Sequence, residues 1–483
     1  MIATNPPFFP SRRLALTTSA LALAAALAGC AIGPAYERPV VALPDAWKEA
    51  PAAAGWLQAR PADTLDRGEW WQLFGDAGLS DLAARLQVSN QNVAAAVANY
   101  AQATALVRQQ RAALFPTVSL SGSAGRSGKR GPATDSAIGT ADVALGVDWA
   151  PDVWGRLREA VGSAQAQAQA SEADLASTRL SSLGALASNY FSLREADAEL
   201  ALLAVTLEGY ERSLAIARNR YEAGVTAQSD VLQAQTLLVN TRADRVALER
   251  SRATLEHAIA VLVGATPADF ALPVVTAWVP VVPLVPLDVP STLLQRRPDI
   301  AASERAVAVA NAQIGIQRSA YFPSLGLSAS VGRSSSRIVD LFSVSNTLWS
   351  LGLSTAQVLF DAGGIEARVD AAKAGRDGAV ARYRQTVLAA FQNVEDQLTA
   401  TASLAQQEAL RREASTAADK TEQQFLNRYR AGQISYTDVV NAQAAALSAR
   451  RTVLQLQVSR QVAAVGLILG LGGGWQAGGT VPL

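Results

Sequence analysis

The sequence predicts a mainly helical fold with a membrane β portion, built twice from one plan of helix, two strands and a long helical hairpin. Three observations predict it. The phrase NRYEAGVTAQSDVLQAQ at 219–235 returns as NRYRAGQISYTDVVNAQ at 427–443, an offset of 208 (427 against 219). Proline is absent between Pro151 and Pro267 and again between Pro323 and Pro482, so very long helices are permitted there. Two pairs of stretches that alternate apolar with small polar residues precede those helices, the pattern of half-buried or lipid-facing strands.

Composition excludes several function classes. The 483 residues carry a net charge of +1, which gives no electrostatic support to nucleic-acid binding. One Cys, one His and one Met are present, too few soft or imidazole ligands for a metal centre. His257 lies in SRATLEHAIAVLVG and reads as a helix-face residue. Neither a Gly-rich phosphate loop nor a GxSxG elbow occurs. No catalytic residue, metal site or cofactor is therefore expected.

Residues 1–29 read as an export signal: Arg12 and Arg13 precede an apolar run from Leu14 to Ala28 that ends in LAGC at 27–30. The run is too short for a mature bilayer span. LAGC resembles the lipobox of bacterial lipoproteins, which implies cleavage before Cys30 and acylation of that residue. Ala31, rather than Asp, implies sorting to the outer membrane. Residues 30–69 are then an acylated, extended N-terminal segment. No other segment reads as apolar enough for a transmembrane helix.

The first repeat spans 70–266. Val118, Leu120, Gly122 and Ala124 alternate with Ser119, Ser121 and Ser123, and Val143, Leu145, Val147 and Trp149 with Ala144, Gly146 and Asp148. From Gly155 to Ala223 the residues are good helix formers. Leu186, Leu193, Leu200, Leu207, Leu214 and Tyr221 recur every seven positions, with Ala196, Leu203, Tyr210 and Ala217 three further on; this heptad seam predicts a coiled coil. At its end, Arg220 suits a helix C-terminus, Gly224 a left-handed cap, Ser229 an N-cap and Asp230 the first turn of a returning helix.

Seven prolines between 267 and 298 mark 267–297 as a linker. The second repeat, 298–472, restates the plan, and 473–483 is a tail. YFPSLGLSASVGRS at 321–334 matches LFPTVSLSGSAGRS at 114–127, and LFDAGGIEARV at 359–369 loosely matches DVWGRLREAV at 152–161. Leu325, Leu327, Ala329 and Val331, then Trp349, Leu351 and Leu353, supply the alternating apolar positions. Arg428, Gly432, Thr437 and Asp438 repeat the turn chemistry of the first tip. Capping explains Gly, Arg and Asp but not the recurrence of Asn, Tyr and the later Ala-Gln. The ascending helix through TASLAQQEALRREASTAADKTEQQF has few large apolar residues and reads either as a water-lining face or as a solvated outer face.

Four strands cannot close a transmembrane barrel, and an open edge in lipid is not tolerated. Two copies give about eight strands and a filled interior; three give about twelve and a channel. The expected assembly is a homotrimeric 12-stranded β-barrel, four strands per chain, continued by an α-helical coiled-coil barrel.

On these motifs the chain resembles the TolC-like outer membrane factors, and among them the NodT-like lipoprotein branch of efflux channels. CAIGPAYERP (30–39), WWQLFGDAGLSDLAARLQVSNQNV (70–93), VPSTLLQRRPDIAASE (289–304) and the two NRYxAG tips carry the likeness. The resemblance implies a passive exit duct of a tripartite efflux pump, fed by an inner-membrane transporter of the resistance–nodulation–division type through a periplasmic adaptor. It implies that Arg220, Tyr221, Gly224, Val225, Asp230, Arg428, Gly432 and Gln433 meet the adaptor. It places the periplasmic gate at Asp438, Asn441 and Tyr429. Asn441 stands where many members have a second acid. Tyr429 is expected either to hydrogen-bond a neighbouring hairpin or to pack at the coiled-coil end.

RSGKR (126–130) is expected in an external loop, touching lipopolysaccharide phosphates or merely solvated. Trp149 and Trp349 fit interfacial girdles or barrel packing. The rival readings are an exit duct for a type I protein secretion system and a non-channel coiled-coil envelope lipoprotein. The transported substrate is not legible in the sequence.

Overall fold

In the computed structural model, residues 32–42, 44, 46–49, 67–129, 136–283, 296–341 and 347–473 are described. Cys30, Lys129's side chain, Arg130 and linker residues 284–295 lie outside the described set. In chain order the elements are α1 (Ala77–Ser89), α2 (Gln91–Ala112), β1 (Thr117–Lys129), β2 (Ser136–Trp149), α3 (Arg156–Glu222) and α4 (Gln228–Leu262). Then follow α5 (Pro298–Arg318), β3 (Ser324–Ser335), β4 (Thr347–Ala356), α6 (Gly364–Arg430) and α7 (Tyr436–Gly470). The plan α–β–β–long α–returning α thus appears twice. α3 and α6 each have 67 residues, about 100 Å of helix at 1.5 Å per residue.

The chain divides into two compact units, each drawing on both repeats. One comprises residues 1–40, 100–171 and 303–383; the other comprises 41–99, 172–302 and 384–483.

The first unit holds an antiparallel sheet in the order β1-β2-β3-β4. Its register puts the alternating apolar residues on one face. Val118 pairs with Val147, Leu120 with Leu145, Leu145 with Val331, Val331 with Trp349, and Ala329 with Leu351. Leu120, Trp349, Leu351 and Leu353 on that face are exposed. The opposite face is small and polar: Ser119 faces Gly146, Ser123 faces Asp142, and Ser330 faces Ser350, the last pair hydrogen-bonded at 2.9 Å. Trp149 is fixed by its indole N–H, which donates to the Leu114 carbonyl at 3.0 Å. Among the described residues β1 and β4 are the outer strands, and each keeps one row of backbone groups without a strand partner.

The N-terminal segment is strapped along α5 in the same unit. The Asn311 amide donates to the Pro34 carbonyl at 2.8 Å, and the Tyr36 hydroxyl to Glu304 at 2.7 Å. Gly33 lies so close to Gly315 and Glu159 that a Cβ on it would meet the Glu159 carboxylate and the Gly315 backbone; only glycine permits that approach. Gly315 belongs to the end of α5 nearest β3.

In the second unit, Trp70, Trp71, Phe74, Leu79, Leu82 and Leu86 pack with Leu186, Tyr190, Phe191 and Leu193 of α3 and with Val458, Val465, Leu467 and Ile468 of α7. The WWQLFGDAGL motif is therefore a core plug. Its Asp76 caps α1, accepting from Leu79 N at 3.0 Å, and also accepts the Tyr190 hydroxyl at 2.7 Å. Arg297 of the RRPD motif pairs with Asp299 at 2.7 Å and donates to the Gly470 carbonyl at 2.9 Å, so this segment closes the end of α7.

The heptad seam of α3 is buried at Leu186, Leu193, Ala196, Leu203, Leu207, Tyr210, Leu214 and Ala217. Leu200 is half-buried and Tyr221 is exposed. The helix continues to Glu222, but the buried part of the seam ends at Ala217.

Besides RSGKR, whose residues 126–129 pair with β2 as the end of β1 instead of lying in a loop, two expectations are corrected. Ser229 and Thr437 are not the N-caps; Ala227 and Ser435 are. The helices start two residues earlier because Ser435 forms a capping box with Asp438, and the homologous Asp230 is bonded by the Thr226 hydroxyl just outside α4. The second correction concerns apolar helices: by length and composition α7 is apolar enough to cross a membrane. Its apolar side chains instead fill the core described above.

Candidate functional site: the paired hairpin tips

Both tips lie in the second unit and are built alike. After α3, Gly224 takes φ +71°, and after α6, Gly432 takes φ +75°, a left-handed conformation that glycine adopts without steric cost. Val225 N donates to the Arg220 carbonyl and Gly224 N to the Tyr221 carbonyl, each at 2.9 Å. Gln433 N to Arg428 O and Gly432 N to Tyr429 O repeat this at 2.9 Å. Both turns are Schellman caps, so the last carbonyls of each long helix are satisfied before the chain reverses.

The tips share one apolar core. Leu207, Tyr210, Leu214 and Ala217 of α3, with Ala234 and Leu238 of α4, enclose Tyr429, Tyr436 and Val439 of the other hairpin. Tyr429 and Tyr436 meet edge to face with centroids 5.0 Å apart. The Tyr429 hydroxyl is buried beside Thr226 and Asp230 without a hydrogen bond of good geometry, and burial raises its pKa. Of the two uses expected for Tyr429, the single chain makes the packing one.

Polar links bind the hairpins together. Arg220 Nη1 donates to the Tyr429 carbonyl at 2.9 Å and the Arg430 carbonyl at 3.3 Å, and the guanidinium lies 4.8 Å from the Tyr429 ring centroid. The Thr437 hydroxyl donates to Gln233 Oε1 at 3.1 Å. Farther from the tip, Arg451 contacts Asp244 at 3.5 Å and also pairs with buried Glu199. Sequence reasoning assigned Arg220 to its own helix end and missed this reach; the paired Arg-Tyr dipeptides of the two tips were the available signal.

Asp438 is half-buried and accepts from Ser435 N at 3.2 Å and Ser435 Oγ at 2.8 Å. Its charge therefore serves a helix N-terminus as well as facing outward. Asn441 follows one turn on and is exposed, as are Tyr221, Gly224, Val225, Arg428, Gly432 and Gln433. Asp230 is half-buried. The tips thus present a polar rim around a tyrosine core. Among the described residues no cluster of His, Cys, Asp and Glu could hold a metal ion. An open cavity of about 530 Å³ is lined by Arg297, Asp299, Gln385 and Asn393 among others.

The family model described as outer membrane efflux protein matches residues 82–265 and 289–473, one match for each repeat. The toluene efflux pump outer membrane protein TtgC of Pseudomonas putida is 32% identical over 471 residues, covering 95% of this chain and 96% of TtgC. The antibiotic efflux pump outer membrane protein ArpC, also of Pseudomonas putida, is 32% identical over the same span and coverage. The solved structure of the outer-membrane channel OprN superposes with a TM-score of 0.85 at 29% identity, covering 92% of this chain and 100% of OprN.

Proposed function

The chain belongs to the family of outer membrane efflux proteins, and from that membership we propose that three copies form the exit duct of a tripartite efflux pump. The protein is an outer membrane efflux channel component. Beyond that, the reading is that three four-stranded sheets close into one twelve-stranded barrel and three pairs of hairpins into one helical tunnel.

The observation that carries the proposal is the sheet. It has one apolar exposed face, one small polar face and two outer strands without a strand partner. In hydrocarbon every backbone polar group needs a partner. Pairing β4 of one copy with β1 of the next satisfies both edges and turns the apolar face to lipid. About twelve strands leave an open lumen where eight would be filled by side chains.

The N-terminal strap supports a lipid anchor at Cys30. Gly33 is pinned to the end of α5 next to β3, and three further residues reach about 10 Å. An acyl chain on Cys30 would then be attached within that reach of Gly33. The tips are read as the periplasmic mouth, where a periplasmic adaptor packs helix against helix and joins the duct to an inner-membrane transporter. The relatives' names, which specify toluene and antibiotics, favour small molecules as cargo over the proteins of a type I secretion system.

Electron microscopy of the detergent-solubilised protein tests the assembly. A threefold tube with a membrane-sized collar is the expected outcome. A monomer, or a rod with no lumen, would favour the envelope-spacer reading. Labelling with radioactive palmitate, absent from Cys30→Ala, tests the anchor.

A further inference from the structure

The strands carry few charges, and the register sorts them by sign. Successive side chains of a strand point to opposite faces. The apolar face is the one that holds Leu120, Val143, Leu145, Val331 and Trp349. Arg126, six residues beyond Leu120 on β1, falls on that face, and so does Arg333, two residues beyond Val331 on β3. Asp142 and Asp148 of β2 fall on the small polar face, where they pair with Ser123 and Thr117, and the Ser123 hydroxyl donates to Asp142 at 3.2 Å. These four are the charged strand residues whose side chains are described. Both cations thus stand with the apolar residues and both acids with the serines.

Connectivity fixes the end at which the arginines lie. Thr117 follows α2 and Trp149 leads into α3, so the helices join one end of the strands and the β1–β2 and β3–β4 connections lie at the other. Toward that far end the apolar face changes character in order. Val331 pairs with Trp349, which is 79% exposed. Arg333, next on the same face of β3 and half-buried, pairs with Val143 and Thr347. Val143 also pairs with Gly122 of β1, and four residues beyond Gly122 stands exposed Arg126, opposite Gly139. Two strand spacings across and four residues along put the two arginines roughly 16 Å apart. Aliphatic residues, then an exposed tryptophan, then cations match an amphiphile that has acyl chains, an interfacial zone and an anionic headgroup.

We propose that Arg126 and Arg333 bind phosphate groups of a phosphorylated, acylated lipid of the outer leaflet, whose chains lie on Leu120, Leu145, Val331 and Trp349. This rests on the barrel reading above, in which the helices are periplasmic and the far strand ends face outward. Charge complementarity selects the headgroup. A guanidinium takes a phosphate through two parallel N–H donors, and beside hydrocarbon the attraction is screened less than in bulk water. The apolar row below the arginines selects a lipid rather than a free anion. A strand end that is merely solvated has no cause to sort its charges, since water reaches both faces. Ala124, Gly128 and Gly139 surround Arg126 on its face, so no large side chain there keeps a headgroup away.

The test is native mass spectrometry of the detergent-solubilised protein, titrated with bis-phosphorylated lipid A and with the same lipid stripped of both phosphates. The phosphorylated lipid is expected to bind the trimer, and the stripped lipid to bind roughly a hundredfold more weakly, about tenfold for each arginine–phosphate link. Arg126→Ser combined with Arg333→Ser is expected to bring the phosphorylated lipid down to the level of the stripped one. The corresponding double lysine variant keeps the charge without the fork and is expected to fall between. Equal binding of the two lipids by the wild-type trimer would overturn the inference without recourse to any variant, and would leave the duct intact. Wild-type affinity in the double serine variant would overturn the assignment to these residues. Displacement of the lipid by inorganic phosphate would show a free-anion site and overturn the lipid as occupant. A monomer in the same spectra would remove the barrel reading, and this inference with it.

Discussion

Arg220 of the first tip donates to the Tyr429 carbonyl of the second at 2.9 Å while its guanidinium lies over the Tyr429 ring. One cation thus serves the C-terminal dipole of α6 from a different hairpin. Hydrogen bonds to a charged group contribute about 1.5–3 kcal/mol, and a partly desolvated cation–π contact about 1 kcal/mol more. Arg220→Ala is expected to uncouple the tips and raise the conductance of the closed channel in planar bilayers. Arg220→Lys retains the charge but not the fork, and is expected to fall between. Wild-type conductance from both variants would mean that the link plays no part in closing the mouth.

Asp438 has two roles that substitution can separate. As the third residue of a capping box it stabilises α7, and its loss costs about 1 kcal/mol. In the proposed assembly its carboxylate would stand in a ring of charge at the mouth, an arrangement that favours cations. Asp438→Asn weakens the charge while leaving an amide able to accept from Ser435, so cation preference is expected to fall with little change in stability. Asp438→Ala is expected to lose both and to loosen the closed state. If reversal potentials measured across a salt gradient match wild type for both variants, the carboxylate does not face the ion path.

Much of this architecture was legible before any coordinates, and the reasons are local. The α3 seam, the two NRYxAG turns and the strand alternation each follow from a period or a backbone requirement that a few residues impose. Val118, Leu145, Val331 and Trp349 share a face because the side-chain period of a strand is two, whatever the register. The start of α4 and α7 was misplaced because several Ser and Thr compete near each turn, and only geometry shows that Ser435 rather than Thr437 caps. Arg220's reach was missed for another reason: it joins residues 209 positions apart, and spacing within one helix carries no trace of it. The buried charges Arg194 and Asp197, with half-buried Arg252 beside them, were likewise invisible, since a charge on a helix pattern is ordinarily a solvated face.

Asp197 is 0% exposed and lies between two guanidiniums, Arg194 at 2.8 Å and Arg252 at 2.6 Å. Val275 N also donates to it at 3.2 Å, while Arg194 and Arg252 reach the Pro273 and Leu272 carbonyls. The cluster pins the start of the linker to α3 and α4. Removing the central anion takes from buried Arg194 its ion-pair partner Asp197 and leaves half-buried Arg252 with Glu256 at 3.4 Å, a change that costs about 3–5 kcal/mol. Asp197→Ala is expected to lower the thermal midpoint of the solubilised protein markedly, and Asp197→Asn less, because the amide still accepts hydrogen bonds. A midpoint within error of wild type for Asp197→Ala would show the two arginines to be well solvated without it.

Glu195 gives the helical body a pH dependence of defined sign. Burial, and then the neighbouring Glu199 one turn along α3, push its carboxyl up to about 7. Glu199 is itself paired with Arg451, which also contacts Asp244, so that cation is already shared between two other carboxylates. The folded chain therefore holds a proton on Glu195 that the unfolded chain releases in the ordinary carboxylate range. Below that range both states are protonated and Glu195 is neutral in its effect. As pH rises from there to about 7 the unfolded state is favoured progressively, and the full penalty stands above 7. Glu195 is half-exposed, so solvent screening reduces that penalty to on the order of 1 kcal/mol. Glu195→Gln is expected to stabilise the protein at pH 8 and to change nothing at pH 4. Denaturation midpoints of the two proteins across that range decide it: curves that run parallel, rather than separating as pH rises, would mean that Glu195 ionises freely in the folded chain.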